Sequence, residues 1–200
     1  MKNLFFLLVF ICLNSFADNV EDLNLKLKKF TSFEATFTQS VYDEDNDLIQ
    51  EGFGKLNFKK PNLFKWVYLE PHKNQIISDG DLVYIYDPDL SQVIISNINK
   101  VNTVTPATIF AQDNLNDFYT VQLIKINNQN WYRCKAKNLE NNFQQIDIAF
   151  NKQDIIDEMK IIDGMKNLIK VKYSNVNLNR SIDDAYFLFN IPENTDVIKN

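Results

Sequence analysis

The stretch FEATFTQSVYDEDNDLIQEGFGKLNF, Phe33 to Phe58, decides the architecture. Phe33, Ala35 and Phe37 alternate with Glu34, Thr36 and Thr38, the period-two pattern of a strand with one buried and one wet face. The run from Asp43 to Asp47 breaks the pattern as a turn, and Leu48 to Phe58 returns as a second strand. The run resembles a calcium loop only loosely, lacking the central glycine and the terminal bidentate glutamate, so it reads as a solvated hairpin tip.

Working outward, the hairpin repeats. FKWVYL, QIIS, LVYIY and QVIIS follow, with DGD and DPD as turns, and Asp79-Gly80 between apolar runs is a short-range hairpin signal. TVQLIKI, NWYRCKA, FQQIDIAF, IDEMKII and NLIKVKYSNV come later, separated by NNQN, LENN, NKQD and DGM. Phe187, Phe189 and Ile191 form a last alternating segment. About eleven strands in meander order predict one large antiparallel sheet, which curls or splits rather than staying flat.

Two short helices complete the parts. Val20, Leu23, Leu27 and Phe30 recur at helical spacing, with Asp18 or Asn19 as a cap and Lys26, Lys28 and Lys29 at the end that suits cations. Thr105 caps and Pro106 opens a second helix carrying Ile109, Phe110 and Ala111. The fold class is therefore mainly β with short helices, in one domain.

Two short helices are little cover for such a sheet. The candidates for its covered side are Phe33, Phe37, Phe64, Trp66, Tyr68, Tyr84 and Tyr86. Two readings fit the same periodicity: an ordinary filled core, or a cavity for an apolar ligand.

The N-terminus has one cation, Lys2, an apolar run from Leu4 to Leu13, and small residues at Ser15 and Ala17. This predicts a cleaved signal peptide over residues 1–17 and a single domain over 18–200. Cys12 lacks the small residues before it that a lipidation site needs. The formal net charge of −5 argues against nucleic acid as partner. Cys134, the one cysteine after the leader, reads as a buried strand residue. A lone histidine, His72, between two strands excludes multi-histidine zinc sites and makes a poor catalytic base. No catalytic residue, metal or cofactor is expected, and no enzymatic activity.

Taken in order, SFEATFTQ (from Ser32), QEGFGKL (from Gln50), KKPNLFKW (from Lys59), SDG with LVYIYDP (to Pro88), TPATIFAQ and FLFNIP resemble the outer-membrane lipoprotein carrier family, LolA. The resemblance covers nearly the whole chain after the leader. It implies an unclosed, strongly curved antiparallel β-barrel with a helical lid over an apolar cavity. It also implies a monomeric periplasmic chaperone that takes acylated lipoproteins from an inner-membrane ABC transporter to an outer-membrane receptor. Carried over residue by residue, the cavity is lined by Leu27, Phe33, Phe37, Phe64, Trp66, Ile109 and Phe110, and the lid is latched by Lys60 with Ala111. Lys60 stands where the family typically has an arginine, a point charge in place of a rigid fork of donors. The alternatives are a carrier or sensor of another apolar ligand, such as a glycolipid, and a secreted hydrolase.

Overall fold

The computed structural model describes residues 16–98, 109, 114–138 and 143–199. Helix α1 (Phe16–Lys28) leads into β1 (Ser32–Tyr42), β2 (Leu48–Lys59), β3 (Leu63–Glu70), β4 (Asn74–Asp79), β5 (Leu82–Asp87) and β6 (Gln92–Asn97). A 3-10 helix (Leu115–Asp117) precedes β7 (Tyr119–Ile126), β8 (Gln129–Ala136), β9 (Phe143–Phe150), β10 (Ile156–Asp163) and β11 (Leu168–Leu178). A second 3-10 helix (Asp184–Phe187) and β12 (Asp196–Lys199) end the chain.

All twelve strands form one sheet, in the order β12-β6-β5-β4-β3-β2-β1-β11-β10-β9-β8-β7. It consists of two antiparallel meanders joined where β1 pairs with β11. The two ends, β12 and β7, do not meet, so the barrel is unclosed.

The tight turns owe their shape to Asx side chains. Asp43, Asn151 and Asp163 each open a hairpin, and each side-chain oxygen accepts from the backbone N–H groups two and four residues on, at 2.8–3.1 Å. The fourth residue of each turn, Asn46, Asp154 or Lys166, is left-handed, with φ of 64°, 59° and 68°. The acidic tip therefore turns the chain with its own carboxylates.

Register sorts the side chains into two faces. Phe33, Ala35 and Phe37 oppose Phe58, Leu56 and Gly54 on β2, and Phe58 and Leu56 oppose Phe64 and Trp66 on β3. Across the join, Phe37 opposes Tyr173, Gln39 opposes Val171, and Val171 opposes Met159. These residues line the inner face, whose buried cluster runs on through Ile148, Ile146, Tyr132, Cys134 and Val121. Gly54 is required there: a Cβ would lie 2.1 Å from the Val67 carbonyl oxygen and 2.5 Å from the Phe37 ring.

Three expectations are corrected. Phe187, Phe189 and Ile191 do not form a strand: the chain makes a 3-10 turn at Asp184–Phe187, and the twelfth strand lies later, parallel to β6. Tyr84 and Tyr86 face outward, because Val83 and Ile85 between them take the inner positions. Both rings pack on Phe189, with centroids 5.4 and 5.3 Å away, so the C-terminal segment covers the outer side of β5. α1 already includes Asp18 and Asn19, so neither residue caps it. Cys134 is fully buried in β8 as expected, and burial pushes its thiol pKa up, away from reactivity.

Candidate functional site

The inner face of β1, β2 and β3 is an aromatic band. Phe37 and Trp66 stack across Gly54 with centroids 4.3 Å apart, and Tyr68 meets Phe37 edge-on at 5.3 Å. Phe33 meets Tyr173 edge-on at 5.4 Å, while Phe30, on the link from α1, meets Phe33 at 6.4 Å. Leu27, Phe33, Phe37, Phe64, Trp66 and Ile109 all belong to one cluster, each no more than 3% exposed. Ile109 is helical; Phe110 and Ala111 lie outside the described residues. At one end the band becomes polar, where the Tyr68 hydroxyl donates to Gln39 Oε1 at 3.1 Å.

α1 joins this cluster through Leu23 and Leu27, lies against β7, and is fixed by polar tethers along its length. Tyr132 on β8 donates to the Asp22 carboxylate. Burial, followed by that carboxylate, raises the Tyr132 pKa, so the hydroxyl stays a proton donor. Asn24, buried and polar, accepts from the Leu115 N–H at 3.2 Å and donates to Asn114 Oδ1 at 3.4 Å. Lys26 Nζ lies 2.6 Å and Lys29 Nζ 3.4 Å from the Asp154 carboxylate in the β9–β10 turn. Hydrogen bonding from Lys26 holds the Asp154 pKa below its usual value.

Lys60, directly after β2, donates from Nζ to the Leu27 carbonyl oxygen at 3.3 Å. That carbonyl, in the last turn of α1 where a cation suits the dipole, also accepts from the Phe30 N–H at 3.2 Å. Lys60 also donates its backbone N–H to Thr31 at 2.9 Å.

The band from Phe33 to Trp66 was legible from alternation alone. Sequence reasoning missed the other half of the inner face, Tyr132, Met159, Val171 and Tyr173, although Met159 with Ile161 and Val171 with Tyr173 carry the same alternation. It also missed Asn24, Asp154 and Asn179, whose partners are 90 to 150 residues away in the chain. His72 is exposed and lies 3.9 Å from Asp89. Among the described residues, no group of three or more His, Cys, Asp or Glu side chains is placed to hold a metal ion.

An unclosed sheet with an aromatic inner face, whose buried cluster a helix joins, is a scaffold suited to enclosing apolar material. The model of the family described as outer membrane lipoprotein carrier protein LolA matches residues 28–190, and the chain belongs to that family. An outer-membrane lipoprotein carrier protein of Nitrosomonas europaea is 30% identical over 202 residues, 98% of each chain. One from Francisella tularensis subsp. tularensis is 30% identical over 193 residues, 96% of this chain and 94% of that one. Both relatives are named as carriers rather than enzymes. Among solved structures, an uncharacterized conserved protein from Thermus thermophilus superposes with a TM-score of 0.53 at 15% identity, covering 92% of this chain and 97% of that one. A LolA superfamily protein from Nitrosomonas europaea gives 0.50 at 13% identity, covering 86% and 98%. These two likenesses establish the fold.

Proposed function

We propose that this chain is a periplasmic carrier that takes acylated lipoproteins from a lipoprotein-releasing ABC transporter of the inner membrane, shields their acyl chains, and passes them to an outer-membrane receptor. Membership in the lipoprotein carrier family supports the carrier role. The observation that carries the reading is the aromatic band of Phe37, Trp66 and Phe64, buried in one cluster with Leu23 and Leu27 of α1, a helix fixed largely by polar tethers. Residues 1–17 are the export signal, residues 18–200 the working monomer, and no cofactor or catalysis is involved.

A carrier is needed because a triacyl anchor of roughly 45 methylenes, at about 0.8 kcal/mol each, leaves on the order of 35 kcal/mol facing water. Delivery runs down a sequence of affinities, so the carrier must bind firmly without trapping its cargo. Leu27, Phe33, Phe37, Phe64, Trp66, Ile109 and Phe110 receive the acyl chains. The burial of Leu27, Phe33, Phe37, Phe64, Trp66 and Ile109 makes this the closed state, from which cargo selects an opened one. Lys60, together with Ala111, holds the closed state.

The test adds protein purified from the periplasm to spheroplasts that are synthesising lipoproteins and contain a matching transporter. Acylated lipoprotein should appear in the supernatant and co-elute one-to-one with the added protein. Lipoprotein left wholly in the membrane, with the added protein folded, would contradict the reading and direct attention to glycolipids.

A further inference from the structure

The inner aromatic band is apolar at one end and polar at the other. Toward α1 it holds Leu27, Phe30 and Phe33. Six residues on from Phe33, about 20 Å along β1, it reaches Gln39, which is buried. Tyr68 crosses to Gln39 over Gly52, where a Cβ would come within 3.4 Å of the tyrosine ring. Burial raises the Tyr68 pKa, so the hydroxyl keeps the proton that it donates to Gln39 Oε1 at 3.1 Å. The Gln39 carboxamide has its two N–H hydrogens left to donate. On β4, Asn74 opposes Tyr68 and lies two residues before Ile76 of the inner cluster, so it takes the same face.

Asn74 Oδ1 is buried and, among the described residues, has no hydrogen-bond partner. A buried acceptor left unpaired weakens a fold, and an aliphatic side chain at this place would not. Polar side chains gathered at one corner of an aromatic face, one of them unpaired, have the make-up of a ligand pocket, in which apolar walls hold and a few polar groups orient. The anchor of a triacylated lipoprotein has matching chemistry where its three chains converge. Two chains are joined there by esters of a glyceryl thioether and the third by an amide. The amide N–H is the single donor among these groups, and the ester carbonyls only accept.

We propose that Gln39, Tyr68 and Asn74 form a subsite for the root of the lipid anchor: Asn74 Oδ1 accepts from the N-acyl amide N–H, and Gln39 Nε2 donates to an ester carbonyl. Tyr68 is a positioning residue that fixes the Gln39 carboxamide. The anchor then lies with its root at Gln39 and its chains along Phe37, Trp66 and Phe33 toward Leu27. This deepens the carrier reading and rests on it. The subsite favours ester- and amide-linked chains over plain hydrocarbon, and its hydrogen bonds are few and individually modest, so they orient cargo without trapping it.

The experiment uses protein purified from the periplasm and reads affinity by displacement of an apolar dye. Three ligands are compared: a triacylated lipopeptide, the same with its N-acyl amide nitrogen methylated, and the same with ethers in place of its esters. Wild type should bind the methylated analogue about tenfold, and the ether analogue about fivefold, more weakly than the parent. Asn74→Leu should lose about tenfold on the parent and nothing further on methylation. Gln39→Met combined with Tyr68→Phe should likewise lose the preference for ester over ether. Because Asn74→Leu removes an unpaired buried acceptor, its urea midpoint should hold or rise. A lower midpoint with equal loss on all three ligands would make Asn74 a structural residue and overturn the subsite. Wild type that binds the three ligands alike, a series that needs no variant to fold, would overturn it too. A parent lipopeptide that displaces no dye from wild type overturns the carrier reading itself.

Discussion

The chain has two tryptophans, and the structure buries both, on opposite faces of the same sheet. Trp66 is 0% exposed on the inner face of β3 and Trp131 is 2% exposed on the outer face of β8. Among the described residues, the Trp131 indole N–H has no hydrogen-bond partner. They differ in their surroundings. Trp66 stacks on Phe37 in the cluster that α1 joins, whereas the Lys160 ammonium sits 4.0 Å above the Trp131 ring. Next to Trp131, Arg133 pairs in a fork with Asp147, at 2.9 and 2.7 Å. Burial alone therefore does not mark the site. Membership in the aromatic inner cluster marks it, and Trp131 instead has the long Lys160 side chain over it.

The largest expected effect is at the tightest point of the inner face. Gly54→Val drives two methyls and a Cβ into the Val67 carbonyl and the Phe37 ring, and should cost about 4 kcal/mol or more, read from urea midpoints. A near-normal midpoint would mean the aromatic band is looser than its contacts indicate.

Next comes a direct comparison of the two tryptophan environments. Trp66→Ala should cost about 3–5 kcal/mol and weaken binding of an apolar dye. Lys160→Ala should cost under about 1 kcal/mol, loosen the cover of Trp131 and leave dye affinity as it was. Equal loss of dye affinity in the two variants would erase the distinction between the faces.

A smaller effect is expected at Lys60. Lys60→Arg supplies more donors at the end of α1 and should slow both cargo uptake and cargo release by about two- to fivefold. Unchanged rates in both directions would remove Lys60 from the account of closure.

The smallest effect is at Asp154, whose carboxylate is half exposed and screened by solvent. Its pKa in the folded chain lies below the ordinary 3.8, so the stabilisation it gives is present above that value and is lost as pH falls through the lower, folded one. Wild type and Asp154→Asn should thus differ slightly in urea midpoint near neutral pH and converge in strong acid. A gap that widens on acidification would contradict the assigned sign.

Much of this was legible in the sequence, for a physical reason. Alternation reports that a strand has two unlike faces, and β1, β10 and β11 carry it plainly, as does the apolar stripe of α1, whereas β4 and β5 are apolar on both faces. Alternation does not report which face is covered when both are. Tyr84 and Tyr86 were assigned inward because they are the larger residues, but the return of Phe187 and Phe189 across β4 and β5 gives the outer face a cover of its own. All four residues of β12 are exposed, so the strand has no apolar rhythm to read. The tethers of α1 were invisible for a third reason: Asn24, Asp154 and Asn179 are ordinary polar residues until folding brings their distant partners together.

The central claim is that acyl chains lie against the inner aromatic band. The direct measurement compares Trp131→Phe, which keeps only Trp66, with Trp66→Phe, which keeps only Trp131, each titrated with a lipopeptide whose acyl chains carry bromine, a contact quencher of indole fluorescence. The account predicts strong quenching of Trp66 and little of Trp131. Equal quenching of both, or quenching of Trp131 alone, would place the cargo elsewhere and contradict it.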